Sequence, residues 1–219
     1  MSMAAQTSYN FGFSKGVAGG FYDLSDHEVV TRQAEGSTTF GLGVVTGTNR
    51  GIDVSAPTSG NTSADFEGVI VHNSVMTELD MDNRLEIKAG RTVGCLSYGK
   101  VWVKLAPGAE PEYKNTAYLV KDGEYAGFFT SRQTAYVFYE KCGSSDSGAL
   151  HIVADTSTPT DGEIKISDVS AKNGYTPAIG DYVCKNQVYG AGLDVGAKFW
   201  TVADPENGIA VILVKGEMA

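Results

Sequence analysis

Residues 91–105, RTVGCLSYGKVWVKL, are apolar on both faces of an extended chain, and this restricts the fold more than any other stretch. Successive side chains of a strand point to opposite faces, so a strand apolar on both sides is buried between two layers or keeps one side for a partner. Tyr98-Gly99 separates two β-favouring runs, and Gly accepts the positive φ of a tight turn. The stretch is therefore predicted to be a two-residue hairpin that opposes Ser97 to Lys100, Leu96 to Val101, Cys95 to Trp102, Gly94 to Val103 and Val93 to Lys104. One face then carries Leu96, Val101, Val103 and Leu105. The other carries Val93, Cys95 and Trp102, edged by Lys100 and Lys104.

The rest of the chain reads as short strands and turns. Its 27 Gly and abundant Thr, Ser and Asn leave few helix signals in 219 residues, a length that all-β domains reach as one unit. Residues 25–28, SDHE, fit a capping box, but the β-branched VVT that follows favours a strand. Strands are predicted at 40–48 and 66–72, around a Pro, Ser and Gly-rich loop at 56–63, and at 85–88. A second hairpin is predicted from 116–121 and 125–129 about Asp122-Gly123. Further strands are expected at 134–141, 149–154 and 163–169, and 198–202 should pair with 209–214. Residues 170–196 carry no clear pattern.

Residues 1–20 form a polar, Gly-rich arm with isolated aromatics at Tyr9, Phe11 and Phe13. Ordering a residue costs roughly 1–2 kcal/mol of backbone entropy, and burying an aromatic returns about 1.5–3 kcal/mol. Three aromatics do not hold the arm down by themselves. It either packs along its own domain through backbone hydrogen bonds or adds to a neighbour's sheet.

A net charge of −9 without a Lys/Arg cluster argues against a nucleic-acid groove. No apolar run approaches a membrane span, and the start MSMAAQTSYN lacks a basic and apolar leader, so synthesis in a cytoplasm is expected. Cys95, Cys142 and Cys184 are odd in number and widely spaced, which predicts buried thiols and no structural disulfide. His27, His72 and His151 lack metal-ligand spacing, and no GxSxG elbow is present. The run at 41–47, GLGVVTG, misplaces the third Gly of a dinucleotide fingerprint. Asp80-Met81-Asp82 opens like a calcium loop but puts Arg84 at a ligand position, and Asn61-Thr62-Ser63 matters as a glycan acceptor only after secretion. No cofactor and no catalytic residue are expected.

The segments 16–36, 40–48, 66–79, 90–108 and 197–214 resemble the structural cement, or capsid decoration, proteins of tailed bacteriophages. In that family a Gly-rich start leads to an FG-x-x-VV strand, a GVAVH-like strand and a G-x-VWV hairpin; residues 66–72 and 95–103 stand in the last two places here. Residues 131–196 depart from the pattern as an apparent β-rich insertion. The resemblance implies an all-β protein, an antiparallel barrel or sandwich, that binds the exterior of a capsid shell and is not an enzyme. The organisation expected is an arm at 1–20, a core of 21–130 and 197–219, and the insertion at 131–196. The partners expected are the major capsid protein and further copies of the chain, as a dimer or trimer, with neither nucleic acid nor membrane. The contact set expected is Tyr9, Phe11, Phe13, Phe21, Tyr22 and Trp102. Trp102 belongs either to the core or to an interface with a neighbouring subunit. A carbohydrate-binding β-sandwich on the phage surface is the alternative, given the many Tyr and the Gly and Ser-rich loops.

Overall fold

A computed structural model describes residues 16–23, 25–73, 86–134, 136–169, 175–189, 191–204 and 207–215. Its strands are β1 (Glu28–Ala34), β2 (Gly43–Thr46), β3 (Asp53–Ser55), β4 (Phe66–Ile70), β5 (Thr92–Lys104), β6 (Thr116–Val120), β7 (Phe129–Thr130), β8 (Tyr136–Lys141), β9 (Leu150–Val153), β10 (Glu163–Lys165), β11 (Tyr182–Tyr189), β12 (Gly192–Phe199) and β13 (Ile209–Val214). Two single-turn 3₁₀ helices, Ser63–Asp65 and Ile166–Asp168, are the only helices among the described residues. The chain is all-β, as expected.

Nine strands form one sheet in the order β1-β3-β2-β4-β5-β13-β12-β6-β7, and β1 also pairs with β5. That extra pairing closes β1, β3, β2, β4 and β5 into a barrel. All five strands point side chains into its interior: Ala34, Val44, Val54, Ile70, Val93 and Cys95, capped by Phe40 and Ile87. On the other side of β5 the sheet curls back, and a bridge between Leu105 and Phe129 brings β7 to the end of β5. This curl encloses the larger core, with Leu96, Val101, Val103, Leu119, Phe129, Phe199 and Ile212 at its centre. β2, β4 and β5 each feed both cores with adjacent residues, Val44 and Val45, Ile70 and Val69, Cys95 and Leu96. They are shared walls, which is why their sequences are apolar on both faces.

The predicted hairpin at Tyr98-Gly99 does not form. Residues 92–104 run as one continuous strand whose two halves find different partners: β1 and β4 along 92–98, and β13 along 99–104. Glu28 pairs with Tyr98 and Val29 with Leu96, so Ser97 is an extra, bulged residue. A one-residue bulge reverses the alternation just as a two-residue loop does. For that reason the predicted face of Leu96, Val101, Val103 and Leu105 is correct although the connection is not. Gly99 has φ +126°, and a Cβ there would lie 2.8 Å from the His27 Cβ, so its freedom serves a kink and close packing, not a reversal.

Other elements differ in extent. Residues 28–34 form the favoured strand, not a helix. Of 85–88, only Ile87 pairs, in a bridge to Thr38, and Leu85 lies outside the described residues. The hairpin of β6 with β7 forms, but its second strand is two residues because 124–127 turn. The strand predicted at 163–169 stops at Lys165. The unpatterned region holds β11 and β12. β12 joins the main sheet against β6 and β13; it ends at Phe199, so of the strand predicted at 198–202 only Lys198 and Phe199 fall in it, where they pair with Leu213 and Ile212 of the predicted partner.

β10, β9, β11 and β8 form a separate four-stranded sheet. Cys142, just past β8, is bonded to Cys184 on β11, so the expectation of no disulfide is overturned. The two cysteines meet because β11 pairs antiparallel with β8, Val183 opposite Lys141. Cys95 is the buried free thiol expected, and burial pushes it up to about 12, which leaves it a small apolar side chain.

Candidate interaction surface

Residues 16–23 lie along the edge of β5 that β13 leaves open. Gly19 N donates to the Trp102 carbonyl at 2.7 Å, Trp102 N to Gly20 O at 2.9 Å and Tyr22 N to Lys100 O at 3.1 Å. Phe21 pairs antiparallel with Val101. The described end of the arm thus follows its own domain through backbone hydrogen bonds, one of the two outcomes the sequence allows. Gly16 lies against the indole of Trp102 so closely that a Cβ would come within 2.1 Å of the ring.

Trp102 enters neither barrel core and is only half-buried on the outer face of β5. Tyr22 packs beside it, ring centres 6.1 Å apart. Its neighbour on β5, Lys100, reaches two groups at once: Nζ lies 2.7 Å from Asp23 Oδ2 and 4.8 Å from the centre of the Trp200 ring. Tyr113 meets Trp200 edge-on at 5.3 Å, and the Lys114 ammonium sits 5.0 Å over Tyr113. The result is a continuous outer stripe, Tyr22, Trp102, Lys100, Trp200, Tyr113 and Lys114, on an otherwise acidic protein. Phe21, opposed to Val101 and so outside this stripe, is 42% exposed and stacks on His27 at 4.5 Å. Aromatic groups of this kind are enriched where proteins dock.

The ammonium of Lys100, first, and then hydrogen bonds from Ser25 hold the Asp23 carboxylate down to about 2. A depressed carboxylate adds stability above its unfolded value near 3.9, and that stability is lost as pH falls from about 4 through about 2. Asp23 is partly solvated, so the effect is small. Asp23→Asn is expected to lower the melting temperature by about 1–3 °C at pH 7, and the difference should shrink as pH falls from about 4 to about 2.

Of the six residues predicted to make contacts, Tyr9, Phe11 and Phe13 lie outside the described residues. Tyr22 and Trp102 are brought together on the outer face, whereas Phe21, opposed to the core residue Val101, packs on His27 instead. Tyr113 and Trp200 were missed by sequence reasoning; the alternation in AKFWTV, with Phe199 buried and Trp200 turned outward, was the available signal. The three His do not converge: His27 packs on Phe21, His72 on Phe40 and His151 on Tyr182. A groove of about 590 Å³ between β1, β4 and β12 is floored by Arg32 and Glu67, which pair with each other at 3.0 Å while Thr46 donates to Glu67. Its central charges are thus matched from within.

The chain is similar, over 99% of its own length and 100% of the other's, to a solved chain from "The capsid of Myoviridae Phage XM1", with 15% identity and a TM-score of 0.55. Identity this low shows a common fold. No curated protein sequence matches. The family model for "Structural cement protein (E217 gp24/Pam3 gp6)" matches residues 5–214, and so runs through 131–196, the segment that the sequence had set apart from the family pattern. With nearly the whole chain matched, the protein belongs to the structural cement proteins of bacteriophages.

Proposed function

We propose that the protein attaches to the outside of a bacteriophage capsid and reinforces contacts between capsid subunits, without catalysis. The observation that carries this reading is the outer aromatic stripe at Trp102, beside which residues 16–23 are laid by backbone hydrogen bonds. In this reading Tyr9, Phe11 and Phe13 reach the neighbouring capsid or decoration subunit, and Phe21, Tyr22 and Trp102 form the fixed end of the same contact. The major capsid protein is the partner, and a dimer or trimer multiplies individually weak contacts. The net charge of −9 suits an exterior position better than a DNA-filled interior. Binding the assembled shell in preference to free subunits stabilises the shell by mass action.

Co-sedimentation with cognate empty capsids tests this. The full chain should pellet with capsids at micromolar concentration. Trp102→Ala and deletion of residues 1–15 should each weaken attachment about 10- to 30-fold. Melting temperatures should stay within about 2–4 °C of the native value, since Trp102 enters neither core and the arm is expected to act through attachment. A large drop on deleting 1–15 would show that the arm belongs to its own core. Failure of the full chain to pellet overturns the reading, and saccharide-array binding without capsids would favour a glycan-binding role instead. Global unfolding of Trp102→Ala would return that residue to a structural role.

A further inference from the structure

Among the described residues the larger barrel core has sixteen buried residues, whereas the four-stranded sheet has a small core: Tyr139, Ile152 and Val183 are buried, with partly buried apolar side chains such as Val137, Leu150 and Ile164 packed against them. No strand of it pairs with the nine-stranded sheet. A unit that buries so little apolar surface depends on a staple for its order. The Cys142–Cys184 bond supplies one, closing a loop of sequence separation 42 that contains β9 and β10.

The surroundings of the bond bear on its chemistry. Cys142 N donates to Tyr182 O at 2.9 Å, so the β-ladder itself brings the two sulfurs together. The Asp146 carboxylate, held by the Gly143 amide at 2.7 Å, has an oxygen within 4.8 Å of both sulfurs.

We propose that Cys142 and Cys184 form a redox clip, open in a reducing compartment and closed by oxidation outside it, that turns the sheet of β8, β9, β10 and β11 from a locally opening one into a fixed one. Closure joins the two sulfurs and removes two protons and two electrons. The acceptor is dissolved dioxygen, reduced to hydrogen peroxide, or a small disulfide, reduced to two thiols. The barrel is not involved, since its own thiol, Cys95, is buried away from the clip.

Hydrogen exchange on the full chain tests the clip in three samples: air-equilibrated protein, the same protein with a phosphine reductant, and Cys142→Ser/Cys184→Ser. A chelator in each keeps metal from bridging the reduced thiols and Asp146. In the air-equilibrated sample neither Cys142 nor Cys184 should react with iodoacetamide. Opening the clip should speed exchange across β8, β9, β10 and β11 by about 100- to 1,000-fold, the chain-entropy expectation for a loop of this length. Peptides from β5 and β13 should change less than about twofold. Unchanged exchange in those four strands, equal acceleration in β5, or alkylation of both thiols in the air-equilibrated protein would each overturn the proposal. If the double variant does not fold, the reductant sample decides alone.

Discussion

Gly68→Ala is expected to destabilise the protein by about 3–5 kcal/mol and to lower the melting temperature by roughly 8–15 °C. Gly68 has φ +137°, and a Cβ on it would lie 2.3 Å from the carbonyl oxygen of Leu96 and 2.8 Å from its carbon. Both atoms are backbone, so no rotamer change relieves the clash. Relief requires β4 to move from β5, where Val69 pairs with Leu96 and Ile70 with Cys95. Those strands divide the two cores, so a shift there loosens both. Gly36 is the control: nothing lies within 4 Å of its Cβ position and its φ is ordinary, so Gly36→Ala should change the melting temperature by less than about 2 °C. A Gly68→Ala protein that melts with the native one would show that β4 and β5 are not this close.

Phe129→Ala should cost about 3–5 kcal/mol by removing a fully buried ring and leaving a cavity. The backbone of Gly43 comes so close that a Cβ there would meet the ring at 3.0 Å, and Leu105 bridges to Phe129 where the sheet curls closed. Denaturant titration should show a lower midpoint with an unchanged slope, the sign of lost stability without a change in the unfolded chain. Phe129→Leu keeps most of the apolar volume and should recover more than half of the loss. A loss below about 1 kcal/mol would mean that the site collapses around the gap and that the closure does not depend on the ring.

The two-sided character of β5 was legible in the sequence because alternation is local, and the division of Leu96 and Val101 from Val93 and Cys95 followed from it. The connection was not legible. Gly99 offers the same positive φ to a turn and to a kinked, bulged strand, and only the remote partners β1 and β13 decide between them. The disulfide was hidden for a related reason. Cys142 and Cys184 meet only if β11 pairs with β8, and β11 begins in a region whose residues have no period. Trp102 was readable as ambiguous, while its neighbours Trp200 and Tyr113 come from separate segments that only the sheet order joins.

Because β5 is a wall of both enclosures, it also sets an order of events during biosynthesis. Strands β1 to β5 can all have left the ribosome, and the first ring can close, while the second half of β5 still lacks β13. Through that interval residues 99–104 present an open, apolar strand edge to whatever else is nearby, the kind of edge that joins foreign strands. The Gly and aromatic residues at 19–22 are already made by then and cover the opposite edge. The early chain thus halves the exposed edge of β5 until its last partner arrives.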